Sequence, residues 1–513
     1  MKLSRRLSFY LLPLLAAGCS VGPDYVTPSA PVPNGNFKEF GGTWEPAKPS
    51  DDAIRGKWWE IYHDPILNSL EEKVNISNQN VIEAEAQFRE AAATVKVARA
   101  AFYPTLTANP SLTETQASQN LTTSNSSSST SNSSGVGGVT ELSRQHQGAV
   151  DISTYNLPME ASYMVDIWGE VRRNVESESA TAEASFANLE NMRLSYQATL
   201  AQDYFELHGQ DAEAELLTTT VKSYEAFLTL TKNRYNSGIA SQGDVAEAQT
   251  QLDTTKAQLI DLGVARAQFE HAIAVLTGQA PSTFGLKEKG LPSAPPHVPV
   301  GVPSRLLQRR PDIAEAERQV AAANAAIGVQ VAGYYPQLTL TGQSGIEAIN
   351  ISDLLTAPSF AWSIGAAVAQ TVFDAGATHG RVQEASANYD ATVANYRQTT
   401  LTAMQQVEDD LAGLRILEKE AAAEDIAVKS ANQSLDVNTN QYKAGIVDYL
   451  TVITSQATAL SDEVTAVTIR TRRMTTSVLL VEALGGGWTT AQLPHRVGVA
   501  DVPQAQQQID KKK

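Results

Sequence analysis

Apolar residues recur at steps of three and four along two long stretches of the chain. In the first stretch the series includes Leu189, Met192, Tyr196, Leu200, Tyr204 and Leu207. This spacing is typical of a helix that packs along a neighbouring helix. Neither stretch contains a proline, so each can form uninterrupted helix. The sequence therefore predicts two long helices, over residues 169–235 and 376–442.

The two helical stretches are copies of each other. Matches that lie 207 positions apart include Asn233 with Asn440, Tyr235 with Tyr442, and Gly238 with Gly445. Upstream the displacement is 232, as Pro104 and Pro336 show. The first copy therefore contains 25 extra residues, 232 minus 207. They include a Ser/Asn-rich run, residues 124–134, which we expect to be part of an exposed loop. A repeat of such a long period predicts two similar halves.

Period-two alternation of apolar and polar residues predicts four strands, at about 104–113, 150–167, 336–345 and 359–372. Such alternation is typical of a transmembrane barrel strand, and it also describes a soluble hairpin with one wet face. The two long helices favour the barrel, and so does an N-terminal export signal at residues 1–18. Four strands cannot close one, because single-chain barrels need at least about eight. Several chains must then share a barrel.

The N-terminus predicts export. Lys2, Arg5 and Arg6 precede a short apolar run that ends in Ala16-Ala17-Gly18-Cys19. We interpret residues 1–18 as a signal peptide, since the apolar run is too short to span a bilayer. The small residues before the only cysteine resemble a bacterial lipoprotein box, so we expect Cys19 to be acylated. The alternative is a plain secretory signal with an incidental cysteine. Ser20, where aspartate would imply inner-membrane retention, points to the outer membrane.

Composition argues against catalysis and against nucleic acid as a partner. The 513 residues carry a net charge of -17 and show no basic block except the C-terminal lysines. One cysteine excludes an intramolecular disulfide, and no two histidines lie three to five residues apart. Glycine-rich phosphate loops and a Gly-x-Ser-x-Gly motif are absent from the sequence. We expect no enzyme activity, no cofactor and no metal site.

Several motifs resemble the outer-membrane efflux lipoproteins of the NodT type, relatives of TolC and outer membrane factors of tripartite RND efflux systems. They are Cys19-Ser-Val-Gly-Pro-Asp-Tyr25, Arg309-Arg-Pro-Asp-Ile313, Tyr335-Pro-Gln-Leu-Thr-Leu340 and Asn440-Gln-Tyr-Lys-Ala-Gly-Ile446. The resemblance covers the chain from Cys19 to about Gly487. It implies a mainly α fold with a small β part and an internal two-fold repeat. Long α-helical coiled-coil hairpins would form a periplasmic tunnel, and four strands per chain would contribute to a trimeric 12-stranded transmembrane β-barrel.

The resemblance also implies a function. The protein would be the outer-membrane channel of a tripartite efflux system, passively exporting drugs or other small toxic solutes. Its partners would be two further copies, a periplasmic adaptor (membrane fusion) protein, an inner-membrane RND-type pump and outer-membrane lipid. Metal-ion efflux and type I protein secretion are alternative channel functions. A periplasmic coiled-coil scaffold lipoprotein is the non-channel alternative.

The sequence predicts the following division of the chain. A signal peptide (1–18) precedes a lipidated linker (19–63), a first efflux repeat (64–290), a Pro-rich connector (291–310), a second repeat (311–487) and a tail (488–513) that we expect to be disordered.

Two turns that follow the long helices are candidates for a periplasmic gate. Gly238 and Gly445 suit the left-handed conformation that ends a helix. Leu450 matches the hydrophobic constriction of the resembled family, and Asp244 and Asp448 could place rings of like charge beside it. Alternatively, both aspartates only begin the next helix. Where relatives carry Asp and Arg four and seven residues after the leucine, this chain has Thr454 and Ala457, which argues against a salt-bridged lock.

The motif Arg309-Arg310-Pro311-Asp312 allows a partner-binding or a structural interpretation. We favour the structural one, in which the arginines bond to backbone or carboxylates and Pro311 opens a helix.

Overall fold

The structure, a computed structural model, describes residues 20–31, 37–39, 56–116, 151–298, 309–489 and 492–493. Cys19, the signal peptide, the Ser/Asn-rich loop, half of the Pro-rich connector and the tail from residue 494 lie outside the described residues. The helices are α1 (Pro65–Ser77), α2 (Gln79–Ala100), α3 (Glu170–Asn236), α4 (Gln242–Leu276), α5 (Pro311–Ala332), α6 (Ala377–Lys443) and α7 (Tyr449–Ala483), with short 3-10 turns at Trp58–Tyr62, Pro281–Thr283 and Ala357–Ser359.

Helix lengths confirm the internal repeat. Helices α3 and α6 each contain 67 residues, α4 and α7 each contain 35, and α2 and α5 each contain 22. Both long helices begin one residue later than predicted, after Gly169 and Gly376, which have φ of 85° and 90°. Glycine accepts this left-handed conformation without strain, so the chain can turn directly into each helix. The expected mainly α fold with a small sheet is confirmed.

Contacts divide the chain into two units. The first, here the sheet unit, contains Met1–Pro23, Lys96–Val175 and Ala326–Gln383. The second, here the helical unit, contains Asp24–Val95, Glu176–Ala325 and Glu384–Lys513. No helix among the described residues is both long and apolar enough to span a membrane.

The sheet unit contains one antiparallel sheet of β1 (Thr105–Ala108), β2 (Ser111–Gln116), β3 (Asp151–Val165), β4 (Gln337–Ala348) and β5 (Phe360–Ala369). Strands β1 and β2 both pair with β3, and β4 lies between β3 and β5. The break between β1 and β2 falls at Asn109 and Pro110, because proline has no N–H to donate to a ladder. The two pieces therefore act as one strand, and the sheet has four strand positions.

Strand pairing places the apolar side chains on one face of the sheet. Directly paired residues share a face, and Leu157 pairs with Ile346, which pairs with Phe360. The same face carries Leu106, Leu112, Tyr155, Met159, Tyr163, Val165, Leu338, Leu340, Trp362, Ile364 and Val368. The opposite face carries mainly Thr, Ser, Asn, Gln and Glu, including the pair Glu160 and Gln343. Because the apolar face is exposed in the single chain, the sheet presents a continuous surface suited to lipid.

Gly345 permits a close approach between the two central strands. It pairs with Pro158 on β3, and a Cβ there would lie 2.5 Å from the Leu157 carbonyl oxygen and 2.8 Å from the Pro158 Cα. A Cβ at Gly342, three residues earlier on β4, would meet no atom within 4 Å. Glycine is thus required at residue 345 and not at residue 342.

The helical unit is built around one large hydrophobic cluster. Trp58 and Trp59 are almost fully buried in it, together with residues of α1, α3, α6 and α7. Asp64 caps α1, and its side chain accepts from the Ile66 N–H at 3.0 Å. Trp488 is also buried, against Ala187 and Ala314. The expectation of a disordered tail beginning at residue 488 is therefore wrong for this residue, because Trp488 packs against α3 and α5.

Glu71 is a carboxyl group buried in this core. It is 0% exposed, and neither carboxyl oxygen has a hydrogen-bond partner among the described residues. Burial raises the pKa of Glu71 well above the usual carboxyl range. The folded chain therefore holds Glu71 as a neutral acid, whereas the unfolded chain ionises it above about pH 4.3.

Replacing Glu71 should change how stability depends on pH. Since the wild type takes up a proton on folding, its stability should fall as pH rises from the unfolded pKa to the folded pKa, by about 1.4 kcal/mol per pH unit. Glu71→Gln should remove this component, matching wild type near pH 4 and exceeding it at pH 8 in thermal unfolding of detergent-solubilised protein. Glu72→Gln, at an exposed neighbour, should keep the wild-type slope. An unchanged slope in Glu71→Gln would contradict a neutral Glu71.

Candidate functional site

The two predicted gate turns lie at the ends of the long helices in the helical unit. Gly238 follows α3 with φ 74°, and its N–H donates to the Tyr235 carbonyl at 2.8 Å. The Ile239 N–H donates to the Arg234 carbonyl at 2.9 Å. In the second copy Gly445 has φ 78°, and the Ile446 N–H donates to the Gln441 carbonyl at 2.9 Å. Both helices thus end in the same glycine-dependent motif.

Asp244 and Asp448 both help to begin the helices that follow these turns. Ser241 caps α4, and Asp244 completes a capping box by accepting from the Ser241 N–H at 3.0 Å. Asp448 is itself the N-cap of α7 and accepts from the Thr451 N–H at 3.0 Å and the Thr451 hydroxyl at 2.6 Å. The hydrogen bond from the Thr451 hydroxyl lowers the pKa of Asp448 most, and the bond from the Thr451 N–H lowers it further, so Asp448 stays ionised. A capping role does not exclude a charged turn, because Asp448 is exposed and Asp244 is only partly buried.

Leu450 lies one residue inside α7 and is 57% exposed, whereas its neighbour Tyr449 is 2% exposed. The equivalent of Leu450 in the first copy is Gly243. The second turn therefore presents an apolar side chain to its surroundings that the first turn lacks. Thr454, one turn later, donates its hydroxyl to the Leu450 carbonyl at 3.0 Å.

An aromatic cluster joins the two helical hairpins close to these turns. Tyr442 packs against Tyr449 and Phe227, with ring centroids 5.7 Å and 6.0 Å away. The Arg234 guanidinium lies 4.6 Å from the Tyr442 ring centroid and donates to the Lys443 carbonyl at 3.1 Å. This cluster connects α3 to both α6 and α7 in one chain.

The sequence analysis did not identify this cluster as part of the site. A signal for it existed, because the second copy has Ser434 where the first has Phe227, and the first copy has Gln242 where the second has Tyr449. Aromatic residues that break a repeat point to a contact between the copies.

Arg310 is held by backbone and carboxylate partners. Its Nε and Nη2 donate to the two oxygens of Asp312 at 3.0 Å and 2.6 Å, and its Nη1 donates to the Ala483 carbonyl at 3.0 Å. Ala483 is the last residue of α7, and Pro311 is the first of α5. Arg310 thus joins the start of one helix to the end of another. The backbone of Arg309 lies against Gly485, so a side chain larger than that of glycine does not fit at residue 485.

An acidic cavity of about 460 Å³ lies beside Arg310. Its wall includes Asp409, Asp410 and Glu482. Burial, with the neighbouring Glu482, raises the pKa of Asp410 to about 7, and burial raises that of Glu482 to about 7. Among the residues that the structure covers, no group of three His, Cys, Asp or Glu side chains is placed to hold a metal ion.

Comparison with known proteins identifies the family of this chain. A sequence model described as outer membrane efflux protein matches residues 72–279 and 302–486, one match in each repeat. The chain belongs to the outer membrane efflux protein family. The resemblance found in the sequence motifs is thereby confirmed, and this efflux protein is a component of the outer membrane.

Individual relatives cover almost the whole of the efflux protein. It is 28% identical over 484 residues to the toluene efflux pump outer membrane protein TtgC of Pseudomonas putida, covering 94% of this chain and 95% of TtgC. Identity and coverage are the same for the antibiotic efflux pump outer membrane protein ArpC of Pseudomonas putida. The solved outer-membrane channel OprN superposes with a TM-score of 0.79 at 26% identity, covering 92% of this chain and all of OprN.

Proposed function

We propose that the efflux protein works as a homotrimer whose three sheets close one transmembrane β-barrel, the outer-membrane channel of a tripartite efflux system. The sheet carries this proposal. It has one exposed apolar face, and the outer sides of β1–β2 and of β5 have no strand partner among the described residues. Backbone groups on such edges cannot be left unpaired in hydrocarbon, so the edges of neighbouring copies must pair.

Strand number favours three copies over two. Two chains would supply eight strands, and an eight-stranded barrel is filled by its own side chains. Three chains supply twelve strands and leave room for a lumen lined by the polar face. The long helices of the three copies would form the periplasmic tunnel.

Transport through this channel is passive. A periplasmic adaptor protein and an inner-membrane RND-type pump supply the energy and the selection of solutes, and the channel itself performs no chemistry. The names of TtgC and ArpC associate those relatives with toluene and antibiotics. We extend this to organic solutes of low molecular weight for the present chain, in preference to metal ions.

The N-terminus would add a lipid anchor. We propose that Cys19 is the acylated first residue of the mature chain, because it is the sole cysteine and follows three small residues. Acyl chains contribute about 0.8 kcal/mol per buried methylene, so a multiply acylated cysteine holds firmly in the outer membrane.

The two turns would form the periplasmic gate. In a trimer each exposed Leu450 side chain occurs three times about the axis, and so do the carboxylates of Asp244 and Asp448. An apolar ring restricts hydration, and the rings of carboxylates bind cations across the closed mouth, so the leucines and the aspartates both hold the gate closed.

Substitution at the second turn should widen the gate. Leu450→Ala removes the apolar ring, and Asp448→Ser removes the charge while keeping an N-cap oxygen for Thr451. The double variant should show a severalfold higher single-channel conductance in planar bilayers. Leu479→Ala, the same truncation at the far end of α7, is the control and should conduct like wild type. Wild-type conductance of the double variant would contradict the assignment of this turn as the gate.

Deleting the gene should sensitise cells to toluene and antibiotics, and wild-type protein should restore resistance. Gly345→Ala should fail to restore it, because the added Cβ collides with the β3 backbone and disturbs the sheet. Gly342→Ala, on the same strand in open space, should restore it fully. The measurement is the minimal inhibitory concentration of each compound. Sensitivity to metal salts alone would indicate metal-ion efflux instead, and unchanged resistance to every compound would refute the proposed function.

A further inference from the structure

The duplication gives α3 and α6 equivalent surface stripes. On α3 the stripe contains Glu190, Gln197, Ala201, Tyr204 and His208, at steps of seven, four, three and four. These steps keep all five residues on one helix face. The residues 207 positions later on α6 are Arg397, Met404, Glu408, Leu411 and Arg415. Exact duplication would demand the same covering layer on both stripes.

On α3, the 3-10 turn at Trp58–Tyr62 and helix α1 cover the stripe. The Trp58 indole N–H donates to the Gln197 Oε1 at 3.1 Å, and the Gln197 Nε2 donates to the Asn75 Oδ1 at 2.7 Å. The Tyr204 hydroxyl donates to the Asp64 Oδ2 at 2.8 Å. The segment that precedes the first repeat thus supplies the cover of its long helix.

On α6, a different segment covers the stripe. The Arg397 Nε donates to the Ser29 carbonyl at 3.4 Å. The backbone N–H groups of Lys38 and Glu39 donate to the two carboxylate oxygens of Glu408 at 2.6 Å and 2.8 Å. Glu39 also forms an ion pair with Arg415. Ser29 lies at Arg397, and Lys38 and Glu39 lie at Glu408 and Arg415, so the described parts of this segment follow α6 in the direction of its C-terminus.

Apolar contacts accompany these polar ones. Phe37 is 6% exposed and belongs to the main hydrophobic cluster, and Tyr25 and Ala30 pack against the same cluster. The Tyr25 hydroxyl donates to the Glu317 carboxylate, and the Arg318 guanidinium lies 5.9 Å from the Tyr25 ring centroid. This segment therefore contacts both α5 and α6, the two helices that flank the sheet strands in the second copy.

The two stripes differ at the residues that receive their covers. The groups on α6 that bind the N-terminal segment, Arg397, Glu408 and Arg415, correspond on α3 to Glu190, Ala201 and His208. The groups on α3 that bind α1 and Trp58, Gln197 and Tyr204, correspond on α6 to Met404 and Leu411. Each stripe carries polar partners for its own cover and lacks those for the other.

We infer that residues 24–31 and 37–39 form a strap that replaces, on the second repeat, the layer that the 3-10 turn and α1 provide on the first. The second long helix depends on the strap for its packing, and the strap fastens the N-terminal end of the chain to the second repeat. If Cys19 is acylated as proposed above, the strap links the lipid anchor to that repeat. The packing role does not depend on acylation, so failure of one is distinguishable from failure of the other.

Hydrogen–deuterium exchange of the full-length protein in detergent tests the strap. Glu408→Ala removes the acceptor of two strap N–H groups. It should speed amide exchange in peptides from residues 397–415 about tenfold and leave residues 190–208 at the wild-type rate. Trypsin should also cleave faster after Lys38, because the Glu39 N–H of that peptide bond is released. Glu420→Ala, at an exposed site on α6, is the matched control and should change neither readout.

A milder variant keeps the test decisive if Glu408→Ala does not fold. Glu408→Gln keeps a neutral acceptor and should produce a smaller change of the same kind, confined to residues 397–415. Wild-type exchange in α6 for both substitutions would overturn the inference. An equal rise in α3 and α6 would overturn it as well, because it would show general destabilisation rather than loss of a cover for the second repeat.

Discussion

The constraint on which the rest of the structure depends is that the two outer edges of the sheet have no strand partner among the described residues. A chain with four strand positions and one apolar face cannot bury its edges by itself. Hydrocarbon offers no water to satisfy the edges, so the sheet is complete only when other copies pair with it. The proposed trimeric closure and polar lumen follow from this requirement.

The duplication gives paired helices of equal length, and departures from the duplication provide contacts between the two copies. Paired helices in the two copies have the same lengths, yet the copies differ where they meet. Tyr449 and Leu450 stand where the first copy has Gln242 and Gly243, so only the second turn places an aromatic residue in the core beside an exposed leucine. The strap on α6 is a departure of the same kind. At these positions the two similar hairpins make different contacts within one subunit.

Most of the fold could be predicted from the sequence, because helices and strands each produce a periodic pattern of apolar residues. The proline-free stretches located the long helices to within one residue, and alternation located the strands apart from their ends. Contacts between distant segments could not be predicted. Glu71 and Glu72 look alike in the sequence, yet Glu71 is buried and Glu72 is exposed, because burial depends on which elements pack over α1. Trp488 likewise follows three glycines that suggest a loose tail, and only the tertiary packing shows it to be buried.

The candidate gate was predicted in part. The glycines and aspartates were recognisable from local turn chemistry, and Leu450 from the family resemblance. In the cluster of Phe227, Arg234, Tyr442 and Tyr449, the break in the repeat at Phe227 and Tyr449 indicates a contact between the copies, but only the structure shows which residues, more than 200 positions apart, meet there. Trimeric closure is tested most directly by native mass spectrometry of protein extracted from outer membranes in mild detergent. We predict a complex with the mass of three chains, and a sample that is wholly monomeric or dimeric would contradict the account.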